Sequence, residues 1–200
     1  MKTEKGRTSK YVAFIAMMGA LGNVLFAISS QVLVIPGGIT GIALDLSNLG
    51  VVIAAVFGGC IAGVATGLIA GILPGIWFGY IGGGSGILAL IGLPVGKAIA
   101  GFSIGFLCKC FNVLKGERKS MKTTFMVILG SIPELLFIVL YFSVLMPLFV
   151  GFFVGWLIII SVLVKGLAEM AVIGVITGAL VGNTEFVAFL EKYFEIPLET

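Results

Sequence analysis

The chain has 200 residues, of which 60% are hydrophobic and 10% charged, and its mean hydropathy is +1.24. An ordinary soluble domain carries about a quarter charged residues, so this composition excludes one and describes a polytopic membrane protein. The net charge of +3 is modest, and its distribution carries orientation information; it does not imply nucleic acid as a partner.

In chain order, a basic tail with Lys2, Lys5, Arg7 and Lys10 leads into the first apolar stretch, 11–35. That stretch is too long for the apolar region of a signal peptide and lacks a small-x-small cleavage site, so it reads as a membrane helix. Asn23 within it carries an amide that needs a partner, either another helix or a ligand. Asp45 and Ser47 stand just before the next apolar run, where an N-cap would sit. Further apolar stretches at 50–73, 87–108, 123–147 and 157–182 bring a simple count of crossings to five.

Basic residues test that count. They fall in the tail 1–10 and in 109–122 (Lys109, Lys115, Arg118, Lys119, Lys122), while the connections 36–49, 74–86 and 148–156 hold neither Lys nor Arg. The positive-inside rule places both basic segments in the cytoplasm, which requires an even number of crossings between them. Folding 50–73 into a pair of short helices at Gly58-Gly59 restores parity, because a turn there needs residues that tolerate positive φ. A re-entrant dip in 31–48, which contains "VIPGGITG", leaves the parity unchanged; a full crossing would force Pro36, Gly37, Gly38, Gly41 and Asp45 into one helix. The expectation is an all-α integral membrane protein with six transmembrane helices, helices 2 and 3 being short and glycine-rich. It forms a single membrane domain in the cell membrane: a basic cytoplasmic tail 1–10, a six-helix bundle 11–182 and an acidic cytoplasmic tail 183–200.

Gly59, Gly63, Gly67, Gly71 and Gly75 recur every four residues and line one helix face, so two backbones can approach closely there, above all in internal packing. The run "GGGSG", 82–86, reads as a flexible outer loop able to act as a cover. "GLPVGKA" is no phosphate loop, since Ile91 and Ala98 stand where a Walker A motif requires Gly and Ser or Thr. Cys60, Cys108 and Cys110, in a chain without histidine, read as buried small residues and not as a metal site.

Four ionisable residues lie inside the expected helices: Lys97, Glu134, Lys165 and Glu169. Each costs at least ~2.5 kcal/mol near a helix centre, so such residues face the bundle interior, pair with one another, and mark a pathway or a ligand site. Two positive and two negative groups can neutralise one another, and Lys165 and Glu169, four apart, share a helix face. Glu134 lies near mid-depth with Tyr141 seven residues on along the same face. A pocket open to the outside would thus be lined by Lys165, Glu169, Glu134 and Tyr141, with Lys97 and Asn23 as further polar contacts. Trp77, Phe78 and Tyr80 in the outer loop could stack on a flat ligand, although Trp77 and Tyr80 fit interfacial anchors equally well. An enzyme would need a nucleophile and base or a carboxylate dyad; with no histidine, Glu134 and Glu169 are the one available dyad, and no enzymatic role is expected.

The small-residue face of "AMMGA", Ala16 to Ala20, is on physics alone a packing motif, internal or to a partner helix. In order, "KYVAFIAMMGALGNVLF", "DLSNLGVVIAAVFGG", "IAGVATGLIAGIL" and "VLVKGLAEMAVIGVI" resemble the substrate-binding S component of energy-coupling factor (ECF) vitamin transporters, over about 11–182. The resemblance implies capture of a vitamin or related micronutrient from outside, then reorientation against a transmembrane coupling subunit driven by two cytoplasmic ATPases. It also implies that Ala16 and Ala20 form the coupling face, that Lys165 contacts ligand, and that the chain has no cofactor of its own, ATP being used by the partner subunits. The nickel and cobalt branch carries an N-terminal histidine motif that this chain lacks. The competing expectations are a structural or assembly membrane subunit and a stand-alone small-solute carrier.

Overall fold

A computed structural model describes residues 2–32, 34–35, 42–43, 45–82 and 84–194. The elements run as α1 (Lys2–Val32), a two-residue antiparallel hairpin of β1 (Val34–Ile35) and β2 (Ile42–Ala43), α2 (Asn48–Ala70) and α3 (Ile72–Ile76). A π-helical turn, Trp77–Ile81, extends α3 before α4 (Ile87–Cys110) returns. α5 (Lys119–Gly130), α6 (Ile132–Leu140), a second π-helical turn Tyr141–Leu145 and α7 (Met146–Val150) follow one another almost without a break; α8 (Trp156–Gly182) and α9 (Thr184–Phe194) complete the chain. Five stretches are long and apolar enough to cross a membrane: Thr8–Ser30, Asn48–Ile81, Ile87–Cys110, Lys119–Val150 and Trp156–Gly182. Their outward faces are studded with exposed Ile61, Leu148, Phe149 and Leu157, a surface that water would penalise and lipid does not. The described residues are thus helical apart from the small hairpin, with five helical stretches long and apolar enough to cross a membrane.

The second of those stretches is not one rod. Gly59 has φ +79° and ψ −173°, a conformation that glycine adopts freely and that breaks α2. On the neighbouring α1, a Cβ at Gly22 would lie 2.7 Å from the Ala70 Cβ and 2.9 Å from the Ser47 carbonyl oxygen. In a continuous helix those two residues would be about 34 Å apart at ~1.5 Å per residue, so the arms on either side of Gly59 run antiparallel. Gly63 lying against Ala55 repeats the pattern one level nearer the turn. The reversal expected at Gly58-Gly59 is therefore present. The arms are unequal, however: the first is the short piece Asn48–Gly58, whereas the second continues from Cys60 through α3 to Ile81. This corrects both the shortness of the third helix and the extent of the outer loop, which shrinks from 74–86 to 82–86.

Asn23 makes that longer arm possible. Its Oδ1 accepts from the Leu73 backbone N–H at 3.2 Å, and its Nδ2 donates to the Ile69 carbonyl at 3.0 Å. In an unbroken helix those two backbone groups would bond each other, so the amide is inserted into the ladder where α2 gives way to α3, one residue before Pro74. The partner that this amide needs is a neighbouring helix.

The glycine face expected on this arm packs against α4. A Cβ at Gly63 would meet the Gly101 carbonyl oxygen at 2.4 Å, at Gly67 the Lys97 carbonyl oxygen at 2.6 Å, at Gly71 the Pro94 Cα at 2.3 Å and at Gly75 the Leu90 Cα at 3.0 Å. Backbone thus lies on backbone along most of both helices, and the register fixes the height of Lys97. On the other side of the bundle Gly174 and Gly178 of α8 receive α5, with Thr124 Oγ1 donating to the Gly174 carbonyl at 3.0 Å. Residues 184–194, expected within a tail, form α9, which folds under the bundle: Phe186 meets Phe57 at 5.7 Å between ring centroids, and Phe194 meets Phe14 at 5.3 Å. Residues 195–200 lie outside the described residues.

Candidate functional site

Lys97 lies ten residues into α4 from Ile87, about 15 Å along the helix at ~1.5 Å per residue, and its side chain is buried. Its ammonium donates to Asp45 Oδ2 at 2.9 Å, Ser47 Oγ at 2.6 Å and Asn48 Oδ1 at 2.9 Å. An ammonium has three protons, and all three are used. The charge expected to be balanced by the helix carboxylates is balanced instead by Asp45, from the segment between α1 and α2. Asp45, two residues before Ser47 at the start of α2, therefore lies level with the middle of α4. The re-entrant or crossing course considered for 31–48 runs through 33, 36–41 and 44, which lie outside the described residues.

Asp45 and Ser47 consequently do not act as the helix cap that the sequence pattern suggests: Ser47 makes no capping hydrogen bond. Asp45 Oδ1 accepts both the backbone N–H (2.9 Å) and the hydroxyl of Ser47, tying the turn to itself. The Asp45 backbone N–H donates to Glu169 Oε1, so the same residue is fixed to α4 through its side chain and to α8 through its main chain.

Lys165 and Glu169 form the ion pair that their spacing predicts, at 3.4 Å; the Glu169 side chain is buried and that of Lys165 partly so. Lys165 retains ammonium protons that no acceptor takes among the described residues. Glu134 comes from α6 and is buried, with Asn48, Lys97, Asp45 and Glu169 as its polar surroundings. No ammonium lies within ion-pair distance of it among the described residues. Lys97, Glu134, Lys165 and Glu169, chosen from the sequence, thus converge from three helices, and Asp45, Ser47 and Asn48 join them. The signal for Asp45 was present, since it is the only carboxylate between Glu4 and Glu117, but its capping position offered a blander explanation.

The remaining candidates are more scattered. Tyr141 opens the second π-helical turn, its ring against Gly92 of α4, and its buried hydroxyl has no hydrogen-bond partner among the described residues. Ser85, the polar side chain facing it, donates to the Phe78 carbonyl at 3.0 Å instead. Trp77 and Tyr80 belong to the first π-helical turn and not to a loop; Tyr80 is 60% exposed on the outer surface, as an interfacial anchor would be, while Phe78 turns its edge to Phe26 at 6.1 Å. Asn23 is engaged in the helix break described above. Ala16 and Ala20 lie exposed on the outward face of α1, together with Ala13, Met17 and Val24. Gly83 in the loop 82–86 lies outside the described residues, and Gly84 and Gly86 both have positive φ.

No family model matches the chain, and no curated protein matches it.

Taken together, three carboxylates and two ammonium groups occupy the interior of a largely apolar bundle. Five charged side chains at this depth are costly, on the order of 2.5 kcal/mol or more apiece, which a purely structural scaffold would avoid by using apolar residues. Among the described residues, Lys165 and Glu134 are the charged groups of this cluster that retain hydrogen-bonding capacity.

Proposed function

We propose that the chain is the substrate-capture subunit of an ATP-driven importer of the ECF type, binding a vitamin or a chemically related micronutrient from outside. The observation that carries this reading is the convergence of charged side chains from three helices on Asp45, which is bound through its side chain to Lys97 of α4 and through its main chain to Glu169 of α8. In this reading the chain crosses the cell membrane six times, with α1 outward, the arms of α2 in and out again, and α4, α5 to α7 and α8 completing the set. Both basic segments and both termini then face the cytoplasm, as the positive-inside rule requires. The exposed Ala16 and Ala20 give α1 a face on which another helix can lie close, and they are assigned to the coupling subunit. ATP hydrolysis belongs to separate cytoplasmic ATPases.

The test is ligand titration of the detergent-purified chain by native mass spectrometry and by tryptophan fluorescence, against B-vitamins and their precursors. Capture predicts saturable binding of one of them that Lys165→Ala weakens. A folded protein that binds nothing across the panel would leave an assembly subunit as the better reading. Uptake by the chain reconstituted alone in liposomes, down the solute's gradient, would make it a stand-alone carrier.

A further inference from the structure

We infer that the ligand of the central site carries a net positive charge on nitrogen and that Glu134 is its counter-ion. The inference rests on the capture reading and narrows the substrate class of the same site. Five ionisable side chains occupy the interior of the bundle: Asp45, Glu134 and Glu169 against Lys97 and Lys165. Lys97 is bound to Asp45 at 2.9 Å and has no further proton to give. Lys165 is bound to Glu169, which also holds the Asp45 backbone N–H. Glu134 is the carboxylate left over, 8% exposed and aimed at the same cluster, where Asn48 offers an amide and no cation is within ion-pair distance among the described residues.

No other part of the chain can supply the missing charge. Residues 33–44 contain no ionisable side chain. The remaining Lys and Arg residues fall in 1–10, in 109–122 and at Lys192, all at the end of the bundle marked by the Tyr11 to Gly58 hydrogen bond and by α9. An ionised carboxylate buried without a counter-charge is strongly unfavourable, and an organic cation bound beside it neutralises it. The Tyr141 hydroxyl, without a hydrogen-bond partner among the described residues, lies two helical turns from Glu134 toward the outer end, and Lys165 has protons to donate. The same ligand therefore offers hydrogen-bond acceptors beside its positive group. An anionic ligand meets a site whose lysines are already paired, Lys97 with Asp45 and Lys165 with Glu169.

The experiment uses the full chain in nanodiscs with probes of matched size and different charge: choline and thiamine as cations, 3,3-dimethylbutanol as the neutral isostere of choline, and benzoate as an anion. A cationic probe is expected to bind saturably and its neutral counterpart at least roughly tenfold more weakly, the factor that one charge-assisted contact supplies. Glu134→Gln, which keeps the shape, should remove that preference while thermal unfolding of the empty protein stays close to wild type. Tighter binding of benzoate, an unchanged cation preference in Glu134→Gln, or silence from both cations overturns the inference; capture itself stands or falls on the separate vitamin panel. Infrared difference spectroscopy on the wild type needs no folded variant. A protonated-carboxyl band that persists at saturating choline or thiamine would show Glu134 neutralised by a proton and would refute the cationic ligand.

Discussion

Replacing Asp45 by alanine tests whether the turn before α2 is held by charge. In the native protein Lys97 is almost wholly enclosed, with 4% of its side chain exposed, and Asp45 is its one anionic contact among the described residues. Removing that carboxylate leaves a buried ammonium with the neutral acceptors Ser47 Oγ and Asn48 Oδ1. Breaking a buried pair from one side costs about 3–5 kcal/mol, and the lower end applies here because two of three hydrogen bonds survive. For a chain of this size ~1 kcal/mol moves the unfolding midpoint by roughly 2–4 °C, so Asp45→Ala should lower it by about 6–12 °C. Lys97→Met should cost a similar amount, since it strands the Asp45 carboxylate. The double variant removes both charges and is expected to recover most of the loss, a coupling that additive defects cannot produce. Thermal unfolding of the four proteins in one detergent, followed by near-ultraviolet circular dichroism, supplies the cycle. A fall of under ~2 °C for Asp45→Ala, or a double variant as unstable as the sum of the singles, would refute the pairing argument.

Three further predictions follow from the packing. Asn23→Leu removes the amide inserted between Ile69 and Leu73 and strands two backbone groups; unfolding should become easier by about 1–3 kcal/mol, read by the same melts. Gly59→Ala meets no neighbouring atom within 4 Å, so any cost is conformational, about 1–2 kcal/mol from φ alone, and a variant as stable as wild type would contradict the assigned turn. Gly67→Ala places a methyl 2.6 Å from the Lys97 backbone, where no side chain can swing away; overpacking of about 1–3 kcal/mol is expected, together with weaker binding of any ligand of the central site, because Lys97 is displaced with its helix.

The hydrophobic runs were enough to identify the helices, because a chain in lipid must satisfy its backbone hydrogen bonds locally and only long apolar helices do so. The reversal at Gly59 was legible as well, since the basic segments demanded an even number of crossings and a Gly-Gly step offers the conformation that a tight turn requires. The four-residue glycine period announced close helix contact without naming the partner. The Lys165 and Glu169 pair was readable because both charges lie on one helix, where spacing alone sets their separation.

Other features depend on segments distant in sequence. Asn23 meets residues 46 and 50 positions away, and Asp45 meets Lys97 at a separation of 52 and Glu169 at 124. Hydropathy and local periodicity describe how a residue relates to its own helix, whereas these contacts depend on the relative heights of different helices. Those heights are set where backbone rests on backbone, as at Gly63 and Gly101 or Gly67 and Lys97. The sequence by itself therefore determined the long apolar helices, the reversal at Gly59 and the identity of most interior charges. Which charge neutralises which, and that Glu134 is left over, was decided by the tertiary structure, because electrostatic pairing in a low-dielectric interior depends on distances of a few ångströms that only the packed helices define.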